Sequence, residues 1–141
     1  MSSKIVVGVD GSDGSDRAVA EATEVAKRDG AGIVLVHVVE RIAAKGDMAP
    51  LRADEPEIKA RIEKQAADLR DAGVDADVRY ESIVLGGPAR SIADVADEIG
   101  ADLIVVGTRG HSALAGVILG SVTQKLLHLA SCPVLCVPGS E

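Results

Sequence analysis

The stretch that most constrains this chain is the twenty-residue segment LIVVGTRGHSALAGVILGSV, residues 103–122. It opens with one leucine and three β-branched residues, a pattern typical of a strand buried on both faces. Two glycines follow, Gly107 and Gly110. After nine intervening residues, Gly120 and Ser121 precede a helical pattern. Glycines that end a strand let the backbone come close to a ligand, and the free N–H groups of a helix's first turn attract anions. The spacing therefore predicts an anion-binding cradle.

Two common phosphate-binding motifs are excluded by the residues themselves. A P-loop needs a lysine directly after the second glycine of G-x-x-x-x-G-K-[ST], and this stretch has none. A dinucleotide fingerprint needs G-x-G-x-x-G after the first strand, where the chain reads Gly8-Val9-Asp10-Gly11. Each glycine of the cradle, taken singly, is also compatible with a plain strand end and a tight turn.

Length and charge limit the classes of protein to consider. A chain of 141 residues is expected to form one domain, residues 1–141, that buries roughly two-thirds of its unfolded surface. Trp and Phe are absent and Tyr80 is the only aromatic residue, so the core must consist of small aliphatic side chains. A net charge of −7 argues against binding to nucleic acid or to an anionic membrane. Because no signal peptide or apolar run of membrane length is found, we expect a cytoplasmic protein.

No catalytic or metal-binding residue is predicted. The three histidines, His37, His111 and His128, lack the spacing of metal ligands, although His111 could donate to a phosphate. The serines lack the surroundings of a nucleophile. Cys132 and Cys136 are expected to be reduced residues of the core or an interface, because side chains four apart on a strand are too distant to bridge easily.

Strands and helices alternate along the chain. Strands are predicted at residues 4–10, 32–39, 76–83, 103–106 and 133–137. Helices are predicted from the turn at 11–16 to Gly30, over 57–72, from Pro88 as first helical residue to Gly100, and over 120–131. Residues 40–56 are polar and punctuated by proline and glycine, so we expect a lid or a mobile insertion there.

This alternation predicts a doubly wound α/β domain with a parallel sheet. In such sheets, ligands bind beyond the carboxyl ends of the strands, at the point where the strand order reverses. If the first and fourth strands are neighbours across that point, Asp10 and Gly107 face one crevice.

The spacing G-x2-G-x9-G-S after an LIVV strand resembles the nucleotide-binding motif of the universal stress protein family, in its ATP-binding branch. The likeness covers nearly the whole chain. It includes IVVGVDGS at residues 5–12, G-x-P-A at 86–89, ADLIVVG at 101–107 and CPVLCV at 132–137. The resemblance implies a Rossmann-like sheet of five parallel strands in the order 3-2-1-4-5, with helices on both faces. It also implies a homodimer through the last strand, residues 133–137.

The same resemblance implies a set of nucleotide-binding residues: Gly8, Val9, Asp10, Val39, Gly107, Arg109, Gly110, Gly120, Ser121 and Val122. Val39, at the end of the second strand, would touch adenine. Gly107 and Gly110 would bend round the ribose and phosphates, with Arg109 between them either paired with phosphate or in solvent. Gly120, Ser121 and Val122 would offer backbone N–H groups and the serine hydroxyl to phosphates.

Two points of physical chemistry qualify this assignment. Asp10 could accept a hydrogen bond from ribose, help to place Mg²⁺, or cap the turn at Gly11-Ser12. A helix N-terminus favours an anion by only about 0.3–1 kcal/mol, whereas micromolar affinity requires about 8 kcal/mol. Burial of adenine against Val9 and Val39 must therefore supply the larger share.

The function expected from this resemblance is that of a stress or regulatory protein. It would hold ATP, AMP or cyclic AMP between the first and fourth strands, with Mg²⁺ as a companion of ATP, and would not be an enzyme, although slow ATP hydrolysis is left open. One alternative is an ATP-activating enzyme of the ATP-pyrophosphatase type, since GSDGS at residues 11–15 faintly resembles its S-G-G-x-D-S loop. Another is an interaction module with an empty crevice.

Overall fold

The computed structural model describes residues 3–44, 46–50, 53–84, 87–108 and 120–138. Within these ranges the chain forms six strands and four helices. In order they are β1 (Lys4–Gly8), α1 (Asp13–Asp29), β2 (Gly32–Ala44), β3 (Asp47–Pro50), α2 (Glu55–Asp71), β4 (Ala76–Ile83), α3 (Ala89–Ile99), β5 (Leu103–Gly107), α4 (Ser121–Leu129) and β6 (Val134–Val137). None of the helices in these ranges has the length and apolar character needed to cross a membrane.

Five of the strands form one parallel sheet in the order β4-β2-β1-β5-β6. Ile5 of β1, for example, is in register with Ile33 of β2 on one side and with Leu103 of β5 on the other. The predicted α/β class is thereby confirmed. The predicted order of the five strands also holds for the parallel part, where β4 is the third strand expected from the sequence.

The sixth strand, β3, was not predicted. The expectation that the second strand ends at residue 39 was wrong, because β2 continues to Ala44 and pairs there with β3 in antiparallel register. The two strands turn around Gly46, whose φ of 80° suits glycine. The sequence does not predict this hairpin because its residues lack an alternating apolar pattern. The hairpin is held by hydrogen bonds between backbone groups. Residues 40–50, as far as they are described, are therefore not the expected irregular insertion.

Helices cover both faces of the sheet, as predicted. Successive strand residues point to opposite faces, so Ile5 and Val7 of β1 pack with α1 and α2, while Val6 packs with α3 and α4. The core on each side consists of Val, Ile, Leu and Ala. Small aliphatic side chains thus fill the core of a chain that contains no Trp or Phe.

Several element ends differ from the sequence prediction by one or two residues. Gly30 and Gly100 end α1 and α3 in the left-handed conformation, as expected. Pro88, however, is the N-cap of α3 and not its first helical residue. β1 ends at Gly8, because the chain then turns through Asp10 into the cap of α1. Glu55 begins α2 two residues earlier than predicted.

Candidate functional site

The strand order reverses between β1 and β5. From β1 the chain moves outward to β2 and β4, and then returns to β5 on the other side of β1. The two strands are parallel neighbours, with Val7 beside Val105. The pairing on which the predicted crevice depends is therefore present, and the carboxyl ends of β1 and β5 meet at the edge where such folds bind ligands.

Two hydrogen bonds fix the start of α4 at the end of β5. The Gly120 N–H donates to the Thr108 carbonyl oxygen over 2.5 Å, and the Thr123 hydroxyl donates to the Gly107 carbonyl oxygen over 2.9 Å. Thr123 is buried. These bonds hold the first turn of α4 beside β5 even though eleven residues between them, 109–119, are not described.

The use of the Gly120 amide corrects one expectation. Its N–H is already bonded to Thr108 and does not point to a ligand in this structure. The N–H groups of Ser121 and Val122 belong to the first turn of α4, which has no side-chain cap among the described residues. Ser121 is exposed and Val122 half-buried. The contribution that stays open to Gly120 is its lack of a side chain at the N-cap position of α4.

The four helices begin at the same edge of the sheet but differ in charge. The first turn of α1 carries Asp13 and Asp16, and that of α2 carries Glu55 and Glu57. The first turns of α3 and α4 carry no acidic residue. Because acidic side chains neutralise the positive end of a helix, the positive ends of α3 and α4 are the ones left to attract an external anion.

Lys125 adds a positive charge on the same side. It follows Ser121 by four residues, which places both on one face of α4. Its Nζ lies 4.0 Å from the position that a Cβ would occupy on Gly87, the residue before the N-cap of α3. Within the described ranges no acidic side chain forms an ion pair with Lys125. Sequence reasoning missed this residue because Gly87 and Lys125 are far apart in the chain and only the fold brings them together.

Asp10 has the capping role that was one of its three expected alternatives. Its Oδ1 accepts hydrogen bonds from the Ser12 N–H over 3.0 Å and from the Ser12 hydroxyl over 2.5 Å. The Ser12 hydroxyl in turn accepts from the Ser15 N–H and caps α1, while the Asp10 N–H donates to the Ser15 hydroxyl. The carboxylate is thus held firmly at the edge of the sheet.

Gly8 and Gly107 both lie close to a helix that packs on the sheet. A Cβ on Gly8 would lie 3.0 Å from Cδ1 of Ile92 in α3. A Cβ on Gly107 would lie 2.9 Å from the carbonyl oxygen of Gly14 in α1. The Gly107 distance is shorter than a contact between carbon and oxygen allows, and its partner is backbone, whereas at Gly8 the end of the Ile92 side chain could shift. Gly107 therefore lets α1 approach the sheet closely, whatever else it contacts.

The two valines expected to touch adenine are buried. Val9 is 4% exposed and Val39 is 2% exposed. Val39 does not end its strand, as was expected, but lies within β2 opposite Ser82 of β4, because the strand continues into the hairpin. The remaining expected residues of the site, Arg109 and Gly110, lie outside the described residues, as does His111.

A buried histidine beneath the site was not recognised from the sequence as part of it. His37 Nδ1 lies 2.9 Å from the Val9 carbonyl oxygen, and Nε2 lies 2.9 Å from Glu55 Oε2. No local signal could reveal this pair, since the two residues are 18 positions apart and belong to different elements. In the part of the chain that is described, no cluster of three or more His, Cys, Asp and Glu side chains is arranged to hold a metal ion.

The sequence matches the model of the Universal stress protein family over residues 1–138. It is 34% identical over 147 aligned positions to Universal stress protein YxiE of Bacillus subtilis, covering 97% of this chain and 99% of that one. A universal stress protein solved in complex with cAMP superposes with a TM-score of 0.72 at 30% identity, covering 99% of this chain and 98% of that one. The universal stress protein of Archaeoglobus fulgidus in complex with dAMP gives a TM-score of 0.71 at 25% identity, covering 96% and 97%. Since the family match spans nearly the whole sequence and the fold agrees with it, this chain belongs to the universal stress protein family.

Proposed function

We propose that this chain is a regulatory protein that binds an adenine nucleotide at the carboxyl ends of β1 and β5. The observation that carries the proposal is the first turn of α4, which is anchored beside the end of β5 and has no side-chain cap among the described residues. The N–H groups of Ser121 and Val122 in this turn are proposed to receive the anion. Phosphate at a helix N-terminus is a favourable arrangement. The absence of acidic residues in the first turns of α3 and α4 supports the same position for the anion.

The bound molecule is an adenosine phosphate: ATP, AMP or cyclic AMP. The relatives solved with cAMP and with dAMP support an adenine nucleotide with a single phosphate. Val9 and Val39 are only 4% and 2% exposed, so their side chains are already covered by the core and add little further burial for adenine. Adenine would therefore lie over the backbone at the ends of β1 and β2. Mg²⁺ would accompany ATP through its phosphates, with Asp10 as the nearest expected carboxylate.

The protein is proposed to act by binding and not by catalysis. An ATP-pyrophosphatase would need the loop at residues 11–15 to hold pyrophosphate. Here the Ser12 hydroxyl caps α1, and Asp13 and Asp16 add negative charge to that turn. Arg61 pairs with both aspartates and donates to the Gly11 carbonyl oxygen, so its charge is engaged.

A homodimer through β6 completes the proposal. β6 reads Val-Leu-Cys-Val without a charge, and Leu135 at its centre is 37% exposed. An uncharged edge strand invites pairing with another chain. We propose that binding of the nucleotide changes the surface of this dimer and that the protein acts in the cytoplasm.

Calorimetric titration of the purified chain with ATP, ADP, AMP and cyclic AMP, each with and without Mg²⁺, tests the proposal. We expect the titration to show saturable binding of at least one adenosine phosphate. In a separate assay for pyrophosphate, we expect no release from ATP. Adenosine without phosphate should bind more weakly. Failure of all four nucleotides to bind would refute the proposal, and pyrophosphate release would favour the enzyme.

A further inference from the structure

A buried polar pair lies beneath the proposed site and is not used by it. His37 is on β2 and Glu55 is the first residue of α2. Their side chains are 4% and 7% exposed, and Nε2 of the histidine lies 2.9 Å from Oε2 of the glutamate. The other ring nitrogen, Nδ1, lies 2.9 Å from the Val9 carbonyl oxygen. The imidazole thus joins α2 to the segment that follows β1.

The hydrogen-bond partners limit where protons can be. A carbonyl oxygen only accepts, so Nδ1 must carry a proton to bond with Val9. The contact between Nε2 and Glu55 needs one further proton. Two arrangements satisfy both contacts: an imidazolium with a carboxylate, or a neutral imidazole with a carboxylic acid.

The surroundings favour the charged arrangement. Glu55 is in the first turn of α2, where the positive end of the helix stabilises a carboxylate. Charged groups on the adjoining elements include Asp10 after β1, Asp54 before α2, Lys59, Arg61 and Glu63 on α2, and Arg79 and Glu81 on β4. Tyr80 of β4 meets the His37 ring edge-on, with ring centroids 6.3 Å apart, and its hydroxyl donates to Glu63.

Val9 is held by β2 at both of its peptide groups. Its N–H donates to the Val36 carbonyl oxygen over 2.9 Å, and its carbonyl oxygen accepts from His37, the next residue of β2. The peptide that links Val9 to Asp10 is therefore fixed in orientation. Val9 and Asp10 are two residues of the proposed nucleotide site. The backbone of that site is therefore held in place by the hydrogen bond from His37 to the Val9 carbonyl oxygen.

We propose that His37 and Glu55 are a positioning pair for the nucleotide site, in which the imidazolium of His37, paired with the Glu55 carboxylate, fixes the Val9–Asp10 peptide for the ligand. This inference rests on the proposed function. It assigns a role in ligand affinity to a residue at the start of α2. Neither side chain touches the ligand, and both act through Val9.

Glu55→Gln tests the charge and not the shape of the pair. The glutamine amide can donate to a neutral Nε2 while Nδ1 still donates to Val9, so the fold is expected to survive. Glu57→Gln is the matched control, because Glu57 is an exposed residue in the same turn of the same helix. We expect Glu55→Gln to weaken binding of AMP or of ATP with Mg²⁺ up to about tenfold, because a neutral imidazole holds the Val9 carbonyl oxygen less strongly than an imidazolium does. Glu57→Gln should bind as the wild type does.

Nitrogen-15 NMR of the imidazole gives an independent readout on the unmodified chain. Protons on both ring nitrogens of His37 at neutral pH, and a change of their shifts on nucleotide addition, are expected. In Glu55→Gln only Nδ1 should carry a proton. A wild-type His37 with one protonated nitrogen, shifts that do not respond to nucleotide, or unchanged affinity in a folded Glu55→Gln would each overturn the positioning role. A wild-type chain that binds neither AMP nor ATP would overturn the proposed function and this role with it.

Discussion

Gly107 is a point of close approach between α1 and the sheet. The backbone of Gly14, in the first turn of α1, occupies the space that a side chain on Gly107 would need. The same strand end also receives the Thr123 hydroxyl from α4. A single residue thus sets the distance between β5 and the starts of two helices, one on each face of the sheet.

Gly107→Ala should destabilise the protein, because its Cβ would lie 2.9 Å from a backbone oxygen that cannot move alone. Overpacking of this kind costs about 1–3 kcal/mol. The free energy of unfolding, measured in urea, gives the change. Gly32→Ala is the matched control, since its Cβ would meet Asp75 at an ordinary 3.6 Å. Equal stability of the two variants would show that α1 adjusts freely.

The two cysteines are free and half-buried. Burial raises the pKa of the Cys136 thiol above its ordinary value. Burial, together with the nearby carboxylates of Asp97 and Asp102, raises the pKa of Cys132 in the same direction. Since the thiolate is the reactive form, we expect both cysteines to be mostly protonated at neutral pH and slower to react than an ordinary thiol.

Alkylation with iodoacetamide checks this prediction. At pH 7.5 the folded chain should react several times more slowly than the urea-unfolded chain, and the rate should rise as pH increases beyond the ordinary thiol pKa of about 8.5. Quantification by intact mass gives both rates. Rapid labelling of the folded chain at pH 7.5 would contradict the raised pKa values.

The helix α4 differs from α1 in how its first turn is satisfied. In α1 the Ser12 hydroxyl accepts from the Ser15 N–H, and two aspartates follow. In α4 a glycine takes the N-cap position, and among the described residues the turn has neither a side-chain cap nor an acid. The first turn of α1 is thus satisfied by its own side chains, whereas the first turn of α4 is the one proposed to receive the anion.

Gly120→Val should weaken nucleotide binding without unfolding the domain. Gly120 has φ −71° and ψ 162°, a conformation that valine adopts readily. The added side chain would fill the space proposed for phosphate, and a conflict of about 1–3 kcal/mol corresponds to about a 5- to 150-fold loss of affinity. Calorimetry with ATP and AMP measures it. Ser131→Val, beyond the other end of α4, is the control, and equal affinity in both variants would remove Gly120 from the site.

In the whole molecule, the two outer strands of the parallel sheet, β4 and β6, differ in charge. The β4 edge carries Arg79, which donates to Glu98 and Glu81 over 2.8 and 3.2 Å. The bond from Arg79 lowers the pKa of Glu98. Charged side chains of this kind protect an edge strand from pairing. The β6 edge, residues Val134–Val137, carries none.

Leu135→Glu should convert the proposed dimer to a monomer, because it puts a charge at the centre of the uncharged edge. Sedimentation equilibrium or light scattering reports the mass. The control is Val84→Glu, since Val84 is a strongly exposed apolar residue beyond β4, at the other edge. The dimer explanation fails if the wild type is already monomeric or if both variants behave alike.

Much of this organisation is readable in local sequence. The apolar runs at Leu103–Gly107 and Val134–Val137, and the glycines Gly30 and Gly100 that end helices, are signals within a few residues. They predict the alternation of strands and helices, and the doubly wound α/β class, which the structure confirms. The β2–β3 hairpin was not predicted because it is formed by backbone pairing and its residues show no apolar pattern.

The sequence by itself therefore determined the family, the fold class and the glycine positions at the edge of the sheet. Only the tertiary structure decided that the Gly120 amide is bonded to Thr108, that Gly107 serves helix packing, and that His37 bonds to both Glu55 and Val9. The physical reason is range. Backbone propensity and hydrophobic periodicity act between near neighbours in the chain, whereas hydrogen-bond partners and close contacts are chosen among residues that folding brings together from distant positions.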